Sequence, residues 1–300
     1  MAGPGLEHWA SFYGERVSPD GVRELIADPR WSDVMRAGIG AALVHHDANA
    51  VGSQIFSDAG MVLAGFAALM LDARGALTHS GFRATASAGG LMSPGRASAM
   101  LARMRATGFI APASTTKGGR VRRYTATPAM VWEFRQRAGM DLAALAVLDP
   151  RGGAILSSIE DRDALLEFCR CWGEVQEGAI VSKDQVGAPF FRIIEHHLAV
   201  TLVMALFVSI DDGGEFPRSG QTPLTLVGLA NRLRTSTTHT RRLLDGLAAD
   251  GYVTLAERRI AVTPALVAEA NLFFATLMIG VAEMAARFLR ARASLIVAAA

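Results

Sequence analysis

Histidine, cysteine and arginine are the residues of this 300-residue chain whose placement bears most directly on chemistry. Its seven histidines include two adjacent pairs, His45-His46 and His196-His197. Neighbouring side chains on a helix diverge by about 100°, and neither pair has a carboxylate or cysteine three or four residues onward to complete a metal site. The two cysteines, Cys169 and Cys171, stand about 200° apart on a helix, too divergent to bridge or to share a metal. They read as buried residues of the amphipathic stretch 164–175 and imply a reducing compartment. The chain contains no Gly-x-Ser-x-Gly motif, no phosphate-binding loop and no dinucleotide fingerprint followed by a strand and an acid. The expectation is a protein that is not an enzyme, with no catalytic residue, no metal and no cofactor.

Arginine gives the positive signal. Thirty Lys plus Arg against 28 Asp plus Glu leave a net charge of only +2, but the charge is segregated. Residues 1–72 hold four Arg and nine acids, a net of −5, and residues 141–195 also sum to −5. Residues 73–131 carry nine Lys or Arg and no acid, while residues 232–260 carry six Arg and three acids. Such confined basic blocks are the electrostatic footprint of a nucleic-acid surface. A polybasic coat protein is excluded by the acidic remainder, and disorder by a hydrophobic content of 51%.

Both basic blocks belong to an internal repeat. Residues 93–110 align without a gap on residues 236–253, at a constant offset of 143. Apolar pairs Met100/Leu243, Leu101/Leu244 and Met104/Leu247 mark one helix face. Gly108 and Gly251 follow as left-handed stops before the β-prone pairs Phe109-Ile110 and Tyr252-Val253. Thr127-Pro128 then matches Thr263-Pro264 at an offset of 136, so a hairpin whose tip is seven residues shorter in the second copy intervenes. Ser93, followed by Pro94, has the form of an N-cap with proline at the first helical position, and Ser236 or Thr235 serves the second copy. Upstream, residues 61–73 correspond loosely to 197–210, and 81–91 to 224–234. Gly89-Gly90 should make the first copy's middle helix shorter or looser than residues 226–234 of the second, since each glycine costs about 1 kcal/mol inside a helix. Each unit reads helix, short strand, helix, turn, helix, hairpin, helix.

This pattern resembles the winged helix-turn-helix domains of bacterial transcription regulators, most closely the MarR family. The resemblance rests on Leu229-Ala230, the helix block 236–251, the strand Tyr252-Val253 and the hairpin Glu257-Arg258-Arg259 ending at Thr263-Pro264, and covers about 90 residues in each half. It implies a mostly α protein with small β-hairpin wings, a tandem winged helix-turn-helix in which a fused pseudo-dimer replaces the family's usual two chains. The expected organisation is an N-terminal helical arm at 1–50, a first unit at 51–150, an acidic helical connector at 151–189 and a second unit at 190–300. The implied function is sequence-specific binding of double-stranded DNA by a transcription regulator, with two recognition helices reaching major grooves roughly 34 Å apart.

The candidate contacts follow from groove chemistry. A recognition helix enters the major groove, where Arg forks onto guanine and hydroxyls meet phosphates, while wing cations position without specifying. On this basis Ser93, Arg96, Ser98 and Arg103 of the first helix, and Thr237, Thr238, His239, Arg241 and Arg242 of the second, face the groove. Lys117, Arg120, Arg122 and Arg123 of the first hairpin, and Arg258 and Arg259 of the second, meet the backbone. By the same resemblance the terminal and linking helices form an internal pseudo-dimer core, and a small aromatic effector would bind near Trp31, Trp132 or Trp172. Apolar runs at 61–71, 198–210 and 272–282 are each shorter than the roughly 18–20 residues that span a bilayer. They read as core helices of a cytoplasmic protein without a membrane partner, a monomer or a further homo-oligomer. Two alternatives compete. One is a winged-helix scaffold that binds a protein partner without DNA. The other, a methyltransferase behind a winged-helix domain, lacks the required parallel-sheet half.

Overall fold

The computed structural model describes residues 19–88, 92–113, 122–179, 196–256 and 259–299. The chain is mostly helical, with two small antiparallel sheets. Three helices, α1 (Pro19–Ala27), α2 (Trp31–Ala48) and α3 (Ala50–Ile55), lead into the first repeat. That repeat comprises α4 (Ala59–Ala73), α5 (His79–Ala88), α6 (Pro94–Ala106), β1 (Ile110–Pro112), β2 (Tyr124–Ala126) and α7 (Pro128–Leu148). Helices α8 (Arg151–Ser158) and α9 (Arg162–Ala179) follow. The second repeat runs α10 (Ala199–Ser209), β3 (Gly220–Thr222), α11 (Leu226–Arg232), α12 (Thr237–Ala249), β4 (Val253–Ala256), β5 (Arg259–Val262) and α13 (Pro264–Ala299). Its sheet has the order β3-β5-β4. In the first repeat the strand equivalent to β3 shrinks to a single bridge between Thr78 and Arg123.

The repeat extends to individual hydrogen bonds. Ser93 Oγ accepts from Arg96 N at 3.2 Å, and Ser236 Oγ from His239 N at 3.1 Å. Each hydroxyl satisfies one of the orphan donors at its helix start. Gly108 and Gly251 adopt φ of 78° and 76°, the left-handed turn that glycine alone enters freely. Beyond them Phe109 N and Tyr252 N reach back to Met104 O and Leu247 O at 2.9 and 2.8 Å, closing both helices in the same way. Thr127 and Thr263 hydroxyls then donate to Gly108 O and Gly251 O at 2.7 and 2.8 Å, tying the end of each hairpin to its start.

Two sequence expectations need correction upstream of these helices. Thr78 Oγ1 accepts from Gly81 N, and Thr225 Oγ1 from Gly228 N, at 3.0 and 3.1 Å. These caps place Gly81 opposite Gly228 rather than Leu224. The middle helix of the first unit is also the longer one, 10 residues in α5 against 7 in α11. Gly89 and Gly90, on which the expectation of a shorter helix rested, lie outside the described residues.

Helices α4 and α10 are apolar on nearly every side, and such helices must be covered all round. The cover is exchanged between halves. Helix α2 lies against α7 of its own half and α10 of the other, while α9 lies against α13 of its own half and α4 of the other. Helix α1 likewise packs on α13, and α8 on α7. Phe66 of α4 stacks on Trp172 of α9 at 4.6 Å, and the Trp31 indole donates to Asn271 Oδ1 on α13 at 3.0 Å. Trp31 and Trp172 are both buried. Cys169 and Cys171 are free and buried, and burial pushes the Cys169 thiol well above its ordinary range.

Within this core α7 carries Glu133, which is fully buried. Arg137 Nε and His45 Nε2 donate to its Oε1 at 2.6 and 3.2 Å, and Asn49 Nδ2 donates to Oε2. Burial opposes ionisation of this carboxyl, but His45 and Arg137 together hold its pKa below the usual value. The cluster pins α2 and α3 to α7.

The run at 272–282 is not a short helix, contrary to its apparent length. It lies inside α13, 36 residues long. The segment Pro264–Ala293 is apolar and long enough, by length and composition, to cross a membrane; 44% of its most apolar window is buried inside the protein. Leu266, Ala270, Ala275, Ile279, Ala282 and Ala285 form its buried stripe.

Asp141 on α7 is partly buried, and desolvation raises its pKa to about 7 against the partial opposition of Arg137. Between the unfolded value of 3.8 and about 7 the folded chain holds a proton that the unfolded chain has lost. Stability therefore falls as pH rises through that window. Asp141→Asn should stabilise the protein by about 1–2 kcal/mol at pH 8 and by almost nothing near pH 3.5, as read from urea denaturation at both pH values.

Candidate nucleic-acid interface

The residues singled out from sequence lie on two helices, α6 and α12, and two hairpins, and a path of side-chain and backbone contacts links the first turns of the two helices. Asp58 caps α4, accepting from Met61 N at 3.0 Å, and its other oxygen accepts from Arg96 Nη2 at 2.6 Å. Its neighbour Ser57 lies beside the second half. Ser57 Oγ and His197 Nδ1 are 2.5 Å apart, and Leu198 N donates to Ser57 O at 3.0 Å. His239 Nε2 then donates to the His197 carbonyl at 3.3 Å. A continuous path thus runs from the first turn of α6 through Arg96, Asp58, Ser57 and His197 to the first turn of α12.

These contacts obey the repeat. Ser57 and His197 each stand two residues before their apolar helix, α4 and α10, and Arg96 and His239 each stand three residues after their serine cap. Ser57 and His197 are equivalent residues in contact, and the reciprocal packing of α2 on α10 and α9 on α4 follows the same relation, the arrangement of a local pseudo-dyad. Burial, followed by the charge of His239 and then of Arg103 and Arg96, lowers the His197 pKa; Asp58 partly offsets them.

On α6 the buried face is Ala97, Met100, Leu101 and Met104. Ser93 and Arg103 are exposed, and Ser98 is half-buried with its hydroxyl donated back to Pro94 O at 3.1 Å. Arg96, about one-third exposed, is engaged by Asp58. On α12 the buried face is Thr240, Leu243, Leu244 and Leu247. Thr237, Thr238, Arg241 and Arg242 are exposed. Arg241 Nε donates to Asp245 at 3.1 Å, and Arg242 Nη2 donates to His239 Nδ1 at 2.9 Å.

Arg122 and Arg123 of the first hairpin and Arg259 of the second are exposed. Lys117, Arg120 and Arg258 lie outside the described residues. Sequence reasoning passed over Arg74, Arg83 and Arg105, all exposed within the acid-free block. Counting charge flagged the block, but only folding shows that these three point to solvent. It also passed over Arg234, with φ of 51°, whose guanidinium reaches the carbonyls of His46 and Asp47.

Among the described residues, groups of three or more His, Cys, Asp or Glu placed to hold a metal are absent. Two open cavities flank the first unit. A small one is lined by His79, Ser98, Leu101, Arg105 and Tyr124. A larger one, of about 430 Å³, lies over Pro128, Val131, Trp132, Arg135 and Arg162. Trp132 is 47% exposed there, unlike Trp31 and Trp172. No family model, curated protein or solved structure matches this chain.

The pairing of Asp58 with Arg96 couples a helix cap to the pseudo-dyad, and Asp58 is itself buried. Asp58→Ala should lower stability by about 1–3 kcal/mol in chemical denaturation, through loss of the α4 cap and of the Arg96 counter-charge. Ser57→Ala should cost under about 1 kcal/mol, since it removes one partly exposed hydrogen bond.

Proposed function

We propose that the chain is a tandem winged helix-turn-helix protein, a transcription regulator that binds double-stranded DNA in a sequence-specific manner. Helices α6 and α12 are its recognition helices, and the hairpins β1-β2 and β4-β5 are its wings. Support for the domain type comes from the twice-repeated order of helix, strand or bridge, helix, helix, hairpin and helix, and from the β3-β5-β4 sheet, in which the strand between the first two helices pairs with the last strand of the wing.

One observation carries the DNA-binding reading. Arg74, Arg83, Arg103, Arg105, Arg122 and Arg123 are all exposed, and none makes an ion pair among the described residues. Many arginines outside this block are engaged with acids, among them Arg30 with Asp28, Arg36 with Asp211, Arg137 with Glu133, Arg170 with Glu167 and Arg287 with Glu283. A folded surface that leaves six cations uncompensated on one repeat unit repels itself, and a polyanion relieves that repulsion. Phosphate neutralisation by such side chains releases counterions and makes affinity strongly dependent on salt. A small aromatic effector fits this reading best at the exposed face of Trp132, beside Arg135 and Arg162.

Titration of a labelled duplex at several salt concentrations tests the proposal. With about six phosphates neutralised, log K should fall against log salt with a slope near −5. Replacing Arg122 and Arg123 by alanine should weaken binding to all duplexes alike and reduce the slope by about 2. Absence of binding to any duplex at low salt would overturn the proposal and leave an acidic protein surface as the partner of the basic block.

A further inference from the structure

We propose that base-sequence discrimination resides in α12 alone, while the first repeat anchors the duplex through its phosphates. This inference rests on the DNA-binding reading above and makes the two halves unequal in function. The repeat itself supplies the comparison, because each outward position of α6 has a defined counterpart on α12, 143 residues later.

Gly95, Ser98, Ala99 and Ala102 stand opposite Thr238, Arg241, Arg242 and Asp245. Gly95, Ala99 and Ala102 are exposed, but none has a side-chain donor or acceptor for a base edge. The Ser98 hydroxyl donates its proton to Pro94 O, and the Arg96 guanidinium is held at the buried Asp58 carboxylate, its side chain 36% exposed against 59% for Arg241. Arg103 sits in the last turn of α6, whereas a recognition helix of this kind reads bases from its N-terminal residues. The first unit therefore keeps its cations at Arg103, Arg105, Arg122 and Arg123, places suited to phosphate.

Helix α12 has the opposite endowment. Thr238, Arg241 and Arg242 project from its first two turns, and both guanidiniums are already held. His239 anchors Arg242 at 2.9 Å and Asp245 anchors Arg241 at 3.1 Å, each through one nitrogen. The remaining nitrogens of each fork stay available for the bidentate contact with guanine O6 and N7. A fork fixed before binding loses less freedom on docking. His239 is a positioning residue in this scheme: its ring joins Arg242 to the His197 carbonyl between the two halves.

The test is selection of bound duplexes from a random pool by the full chain, followed by affinity measurements on the enriched duplex and on a scrambled one. The expected product is one contiguous constrained block without two-fold symmetry. A palindrome, or two equally constrained half-sites, would overturn one-sided reading and leave DNA binding intact. Failure to retain any duplex would overturn the DNA-binding reading, and this inference with it. In the affinity measurements Arg242→Ala should reduce the preference for the enriched duplex about tenfold, and Arg242→Lys, which keeps the charge and loses the fork, should do nearly the same. Arg103→Ala should weaken both duplexes equally; a fall in preference as large as that of Arg242→Ala would overturn the assignment. Beside Gly95 a Cβ meets nothing within 4 Å, so the double replacement Gly95→Thr and Ala99→Arg can copy the α12 face onto α6. That variant should acquire a second constrained half-site.

Discussion

Two apolar helices that no single half can cover set the architecture. Helices α4 and α10 bury residues on nearly every side, including Ala64, Phe66, Ala68 and Leu69 in the first and Leu202, Val203, Ala205 and Leu206 in the second. At roughly 25 cal/mol per Å² of apolar surface, leaving one flank of either helix in water would cost several kcal/mol, a large part of a domain's net stability. The chain meets this constraint by exchange, with α9 covering α4 and α2 covering α10. The halves therefore cannot separate without exposing core, and the pseudo-dyad between Ser57 and His197 is a consequence of that exchange.

The same axis organises the electrostatics. Asp58 is spent on capping α4 and holding Arg96, and the carbonyl of His197 holds His239. Acidic residues of the core helices and of the loops beside them meet nearby arginines, as Glu133 does with Arg137 on α7 and Asp211, just after α10, with Arg36 on α2. The hairpin and second-helix cations of the first repeat lie beyond the reach of those acids. A near-neutral protein can in this way carry uncompensated surface cations without a large net charge to destabilise its fold.

Duplication preserved what folding needs and released what it does not. The serine caps, the glycine stops at φ of 78° and 76° and the threonine clasps recur with hydrogen-bond lengths that agree within about 0.1 Å. The outward faces of α6 and α12 diverged, because exposed positions contribute little to stability. This contrast is the physical basis for assigning unlike roles to like elements.

Helix caps, stops, the repeat and the charge blocks were legible in the sequence because each depends on local chemistry: a hydroxyl three residues before an amide, a glycine at positive φ, a run without acids. The register of Thr78 with Thr225 was not, since loops of different length break a constant offset and only the capping bonds restore it. Nor was the length of α13, whose charged residues interrupt an apolar run that its packing partners continue. Tertiary structure alone decided which arginines are spent and which are free. Arg96 and Arg103 look alike along the chain, yet the fold carries Asp58 to the first and no carboxylate among the described residues to the second. That difference arises from contacts between residues far apart in sequence, which no local pattern records.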